Sequence, residues 1–322
     1  MADRPINPIV HLTREQCDTI LESWLGKYEQ CTAIHRMTGG CVHTVLEVTF
    51  GDSNDRVVFK VAHEPRHEGI EREFNVLRYY REHALFPLPE PLFCDISGSL
   101  LPYSFMIMER LPGEHMGDAT AWMSVSDKRH IERAMGETVA ELHTHTRDTF
   151  GDALHEGTDS TWVEIFRDQI LGEYLDNEKL QLVSSDTLQT VRRVIDRLDT
   201  ILGVPGRPTL VHGDIWVTNI MIAREEDEAR LVGYLDPGGR YTHPEYELAY
   251  LEIWRTVSRD FFEVYTAYHP LLDGYEFRRS IYWLNTLLLH VRAFRTTQYI
   301  RATEQLVNTL KRMINERVSQ SE

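Results

Sequence analysis

The spacing of apolar positions changes character once along the chain. Before Leu111, short apolar runs alternate with turn residues; beyond it, apolar residues recur every three or four positions. Arg14–Tyr28 is predicted helical from Ile20, Leu21, Trp24 and Leu25, with Thr13 as its N-cap. Strands are predicted at Ile34–Met37, Val42–Phe50 and Val57–Val61, the last two joined by the turn Gly51-Asp52-Ser53-Asn54-Asp55. Glu68–His83 reads as a helix with Ile70, Phe74 and Leu77 on one side. Phe86–Pro91 holds three prolines and is predicted as extended linker or edge strand. Tyr103–Met108 is a further strand, and Pro112-Gly113 breaks the chain. This first part predicts a mostly antiparallel sheet with one helix packed on it.

Beyond Gly113 the pattern is helical. Asp127–His143 keeps Ile131, Met135, Val139 and Leu142 on one face, and Thr161–Tyr174 and Thr187–Leu202 are also amphipathic. Leu231–Leu235 is a short strand. From Glu245 onward the chain returns to helix, with long segments at Phe277–Phe294 and Thr303–Val318. The expected fold class is α+β, with a small antiparallel-sheet lobe at residues 1–111 and a larger, mainly helical lobe at 112–322.

Composition narrows the function. With 322 residues, 42% hydrophobic and 26% charged, the chain can bury a sizeable core. No apolar run approaches the roughly 20 residues of a membrane span, so no membrane partner is expected. Met1–Pro8 is polar and broken by two prolines, unlike a signal peptide. Cys17, Cys31, Cys41 and Cys94 are scattered without a C-x-x-C pair, which points to a reducing cytoplasm. A net charge of −16 argues against nucleic acid, whose phosphates need a basic footprint. Acidity serves solubility first and attraction of a cationic acceptor second.

The most informative stretch is His212-Gly213-Asp214-Ile215-Trp216-Val217-Thr218-Asn219. Phosphoryl transfer from ATP needs a carboxylate to orient and deprotonate the attacking hydroxyl, and further oxygen ligands for Mg2+ on the phosphates. Asp214 fits the first role. Asn219, with Asp236 at the end of the next short hairpin, fits the second. Upstream, Thr38-Gly39-Gly40-Cys41 joins two strands. A Gly-Gly pair alone is usually a turn, but one preceding a lysine in an apolar strand allows close backbone approach to phosphates. That lysine is Lys60, in Val57-Val58-Phe59-Lys60-Val61. Buried, it needs a partner; Glu73 on the following helix is the choice, with Glu71 in reserve. Phe105–Gly113 supplies the expected adenine contacts: the Glu109 carbonyl, the Leu111 amide, and Met108 behind them. Trp162, Phe166, Trp254, Tyr265 and Trp283 are expected mainly in the core. Glu245, Glu247, Glu252 and Asp168 are candidates to meet an amine, most of them as surface charges.

The H-G-D-x-x-x-x-N run with the later Asp236-Pro237 resembles the aminoglycoside phosphotransferase and choline kinase superfamily. Gly39-Gly40-Cys41, His212–Trp216, Asp236-Pro237, Glu245–Ala249 and Phe261-Phe262 through Tyr265–Tyr268 are similar to its fructosamine (ketosamine) kinase branch. The likeness runs from about Ile34 to Tyr299. It implies a protein-kinase-like two-lobed fold and ATP- and Mg2+-dependent phosphorylation of a hydroxyl on a small polyhydroxylated acceptor, either a ketosamine or a sugar-bearing antibiotic. By resemblance, Asp214 is the catalytic base, His212 supports its loop, Asn219 and Asp236 bind Mg2+, and Lys60 and Glu73 form the phosphate clamp. The branch usually has Asp-Pro-Ala where this chain has Gly238, Gly or Ser where it has Val217-Thr218, and Asp where it has Glu247. These departures are expected on the acceptor side. Gly213 stands where protein kinases carry an Arg that reads an activation-loop phosphate, and little room remains before Glu245 for such a loop, so activity independent of phosphorylation is expected.

Overall fold

The structure, a computed structural model, describes residues 8–37 and 42–321. In chain order the elements are α1 (Arg14–Leu25), β1 (Cys31–Arg36), β2 (Thr44–Phe50), β3 (Asp55–Val61), α2 (Glu68–His83), β4 (Pro91–Asp95), β5 (Phe105–Glu109), β6 (Glu114–His115), α3 (Met116–Ala119) and α4 (Val125–Leu142). There follow β7 (Gly151–Asp152), α5 (Trp162–Lys179), α6 (Ser185–Ile195), α7 (Leu198–Leu202), β8 (Thr209–Val211), β9 (Ile220–Glu225), β10 (Glu228–Tyr234), β11 (Arg240–Thr242), α8 (Pro244–Ile253), α9 (Arg259–Tyr268), α10 (Tyr275–Phe294) and α11 (Thr297–Ser321). The class is α+β, as the residue pattern predicts. Among the described residues no helix is long and apolar enough to cross a membrane.

By compactness the chain forms two units, Met1–Thr138 with Trp216–Gly238, and Val139–Ile215 with Gly239–Glu322. This division does not run at Leu111. The two-residue strand β6 pairs with β9, and β9 with β10, so a hairpin from later in the chain folds with the first unit.

In the first unit an antiparallel sheet has the order β1-β2-β3-β5-β4. Its strands alternate sides, as the two-residue period requires. Val57, Phe59 and Val61 of β3 join Cys17, Ile20 and Leu21 of α1, whereas Val58 joins Ile70 and Leu77 of α2. A helix therefore covers each face, not one face as expected from the sequence, and this explains why β3 is apolar almost without alternation. The Thr13 capping box, in which Thr13 and Gln16 exchange side-chain-to-backbone bonds at 3.2 and 2.9 Å, starts α1. The proline-rich stretch has no regular structure as far as Glu90. The Pro87 carbonyl accepts the Tyr234 N–H at 2.8 Å, and Phe86 stacks on Tyr234 at 4.6 Å. Pro91 then opens β4 on the sheet edge, where a missing N–H is tolerated.

In the second unit α5, α6, α10 and α11 bury Phe166, Ile170, Val191, Val194, Ile281, Leu284, Leu288 and Leu310 together. Each such side chain contributes roughly 1.5–3 kcal/mol on leaving water. The expected helix Thr187–Leu202 is two helices, α6 and α7, because Arg197 takes a non-helical backbone (φ −112°, ψ 8°). A small sheet of order β7-β11-β8 leads through β8 into the His212 run.

Gly113, at φ +86°, lies against β9, and a Cβ there would sit 2.1 Å from the Ile222 carbonyl oxygen. Backbone cannot yield as a side-chain tip can. Gly113→Ala is expected to destabilise the protein by more than about 2 kcal/mol. A urea midpoint equal to that of the unmutated protein contradicts the placement.

Candidate active site

Strand alternation turns Lys60 to the α2 side of β3, where apolar neighbours leave its ammonium little water. Its Nζ donates to Glu73 Oε1 at 2.6 Å and to Asp236 Oδ1 at 2.8 Å. Glu73, and not the exposed Glu71, is the carboxylate of α2 that reaches it. Burial alone would lower the Lys60 ammonium, but Asp236 and Glu73 more than reverse this and raise it, so it stays charged. Glu73 is pushed up to about 7: burial raises it, Lys60 opposes, and the Asp236 charge raises it again. Two carboxylates thus share one cation, and once Glu73 has lost its proton the cluster carries one negative charge in excess.

Asp236 follows β10 with φ +58°, a left-handed backbone that a non-glycine residue adopts at a cost. About half of its side chain is exposed, at 48%. The neighbouring Leu235 N–H donates to the Asn219 carbonyl at 2.9 Å, tying the Asn219 and Asp236 segments together. Arg72 of α2 holds the next turn through the Gly238 carbonyl at 2.9 Å. This oxygen donor set with surplus negative charge fits a hard cation such as Mg2+. Among the described residues no three His, Cys, Asp or Glu side chains gather as a metal cage, so such an ion would take its remaining ligands from phosphates and water.

The Asp214 loop belongs to the second unit. His212 is buried, and its Nδ1 accepts the Asp214 N–H at 3.2 Å. Gly213 has φ +85°, a turn that needs glycine. Glu247 of α8, only 1% exposed, accepts the N–H groups of His212 at 3.2 Å and Gly213 at 2.6 Å. His143 Nε2 donates to the same carboxylate at 2.9 Å, while its Nδ1 accepts the Tyr265 hydroxyl at 2.8 Å. Burial would raise Glu247, but the His143 bond and the loop amides hold it below the usual carboxylate value. One turn further along α8, the Tyr250 hydroxyl donates to Asp214 Oδ1 at 2.5 Å.

Other expectations meet different outcomes. Met108 is buried with Val58, Ile70 and Leu77. Glu109 is exposed, bonded to Glu90 through both backbone and side chain at 2.8 and 3.1 Å. Leu111 is buried, with Arg110 on its carbonyl. Gly39 and Gly40 lie outside the described residues. Glu245 and Glu247 are not surface charges open to an amine. Glu245 is buried in a bidentate pair with Arg278 at 2.6 and 2.7 Å, and Glu247 is committed to the loop. Glu252 is held by Arg279 and Tyr275, each at 2.6 Å. Trp162, Phe166 and Tyr265 are core, as expected. Tyr250 and His143 went unmarked in the sequence. The signal for Tyr250 was its place three residues after Glu247, hence on the same helical face.

The sequence profile of fructosamine kinases matches residues 13–313. The chain belongs to the fructosamine kinase family. As a member of that family it is a small-molecule kinase. A probable ketoamine kinase of Staphylococcus aureus is 27% identical over 198 residues, 56% of this chain and 67% of the relative. The crystal structure of a putative fructosamine-3-kinase from Haemophilus somnus 129PT is similar with a TM-score of 0.72 at 17% identity, covering 92% of this chain and 97% of that one. A GDP complex of aminoglycoside 2'-phosphotransferase-IIIa is similar with a TM-score of 0.61 at 14% identity, covering 93% and 99%. The fructosamine kinase family and the aminoglycoside phosphotransferases thus share this fold.

The raised Glu73 gives this fructosamine kinase family member a pH signature. Its folded value near 7 exceeds the ordinary 4.5, so between these values the folded state keeps a proton that the unfolded chain has lost. Stability of the nucleotide-free protein should therefore fall as pH rises from about 4.5 to 7 and level off above. Urea midpoints across this range, compared with Glu73→Gln, isolate the effect: the variant loses the decline. A wild-type protein that gains stability relative to the variant as pH rises contradicts it.

Proposed function

We propose that the protein transfers the γ-phosphoryl group of ATP, with Mg2+, to a sugar hydroxyl of a ketosamine, a small polyhydroxylated and cationic acceptor, in the cytoplasm. The observation that carries this reading is the family match together with an Asp214 carboxylate held in place by its neighbours. Mg2+ when bound neutralises the phosphate charge that develops in transfer. Asp214 orients the acceptor hydroxyl and takes its proton, and His212 fixes the Asp214 peptide. Asn219 and Asp236 are the Mg2+ ligands. Lys60, steadied by Glu73, clamps the α- and β-phosphates, while Gly39 and Gly40 let backbone N–H groups approach them. Adenine lies along the end of β5, with Met108 behind it and the Glu109 carbonyl and Leu111 amide on its edge. Nucleic acid and membrane have no part in this reading.

The rival acceptor is an antibiotic, since aminoglycoside phosphotransferases share the fold. ADP release with fructosyl-lysine, aminoglycosides, nucleoside antibiotics, macrolides and choline separates the two. The expected result is Mg2+-dependent turnover of fructosyl-lysine, reduced about 10²–10⁴-fold in Asp214→Asn. Turnover of an antibiotic without turnover of fructosyl-lysine overturns the acceptor, and Asp214→Asn retaining more than about a tenth of the rate overturns the base.

A further inference from the structure

Helix α8 meets the Asp214 loop twice from one face. Glu247 holds the peptide N–H groups of His212 and Gly213, and Tyr250, three residues on, reaches the Asp214 side chain. The 2.5 Å contact is the length of a charge-assisted O–H···O⁻ bond. The Tyr250 phenol is itself steered. Its ring meets Trp254 edge-on at 6.2 Å. Burial and the Asp214 charge push the phenol well above its ordinary value, so it remains a donor at every working pH. The ionisable groups near the pair include Tyr246 and Glu247 from α8 and His212 from the loop.

We propose that Tyr250 is a positioning residue that locks the Asp214 carboxylate and tunes its proton affinity. The inference rests on Asp214 as the base of the proposed reaction. Four bonds converge on this short loop: His212 on the Asp214 N–H, Glu247 on each of the two preceding peptides, and Tyr250 on Oδ1. With Oδ1 engaged by the phenol, rotation of the carboxylate is restrained. A donor to the ionised form also favours that form, so Tyr250 keeps Asp214 ready as a base at lower pH.

Tyr250→Phe removes one hydroxyl and leaves the ring against Trp254. With fructosyl-lysine and Mg-ATP, kcat should fall about tenfold, the equivalent of one charge-assisted hydrogen bond. The KM for ATP should stay within about twofold, because the phenol acts on the base and not on the nucleotide. The acidic limb of the kcat profile should move up by about one pH unit. Carboxyl-carbon NMR of aspartate-labelled protein follows the same bond without any acceptor, with the Asp214 signal assigned by its loss in Asp214→Asn. Its titration should rise by about one pH unit in Tyr250→Phe. An unmoved Asp214 titration overturns the proposal, as does a rise in kcat, which would make the phenol a competitor for the acceptor's place. If Asp214→Asn keeps its activity, the base assignment falls instead, and the NMR titration still decides whether Tyr250 tunes Asp214.

Discussion

A lysine ammonium buried on the central strand of a sheet must be paired, and much of the first unit follows from how Lys60 is paired. Its side chain is only 9% exposed, too little for water to solvate the charge. Glu73 must arrive from α2, which fixes how that helix lies across the sheet, and Asp236 must arrive from the end of β10. Removing Lys60 from such a cluster costs roughly 3–5 kcal/mol, because the carboxylates left behind are uncompensated. The left-handed backbone at Asp236 is held in this context, with Arg72 on the adjoining Gly238 carbonyl and Leu235 on Asn219. The surplus negative charge is the electrostatic counterpart of the proposed Mg2+ site.

The second unit solves a related problem with a buried anion. Glu247 is a carboxylate in the core, satisfied by two loop peptides and an imidazole. The same helix also carries Glu245, whose pair with Arg278 reaches into α10. The loop that carries Asp214 is thereby attached at its backbone to a rigid element, and not left to its own turn propensity. Preorganisation of this kind is what positioned catalytic groups require.

Sequence reasoning reached the residues whose chemistry is at odds with their surroundings. Lys60 stood out because Val57, Val58, Phe59 and Val61 surround it, and Glu73 because it lies near the apolar side of a well-marked helix. The His212–Asn219 run and Asp236 were legible as spacing. Less legible were features set by distant partners. Glu245 and Glu247 look like the acids of a solvated helix until Arg278, 33 residues away, and His143, 104 residues away, are brought to them. The strands β6, β7 and β11 are two or three residues long, too short to show a period. The covering of the sheet by α1 was missed because a helical period says which face is apolar but not which surface it meets. The family likeness was readable because it rests on motifs; the acceptor was not, because acids read as acceptor-facing hold the loop and the core.

Lys60, Glu73 and Asp236 are proposed to form the Mg-nucleotide site. Calorimetric titration of ATP with increasing Mg2+, in the wild-type protein and in Asp236→Asn, tests it most directly. Mg2+ should strengthen ATP binding in the wild type and lose most of that effect in the variant, because the charge that faces the metal is gone. An equal strengthening by Mg2+ in both proteins would contradict it.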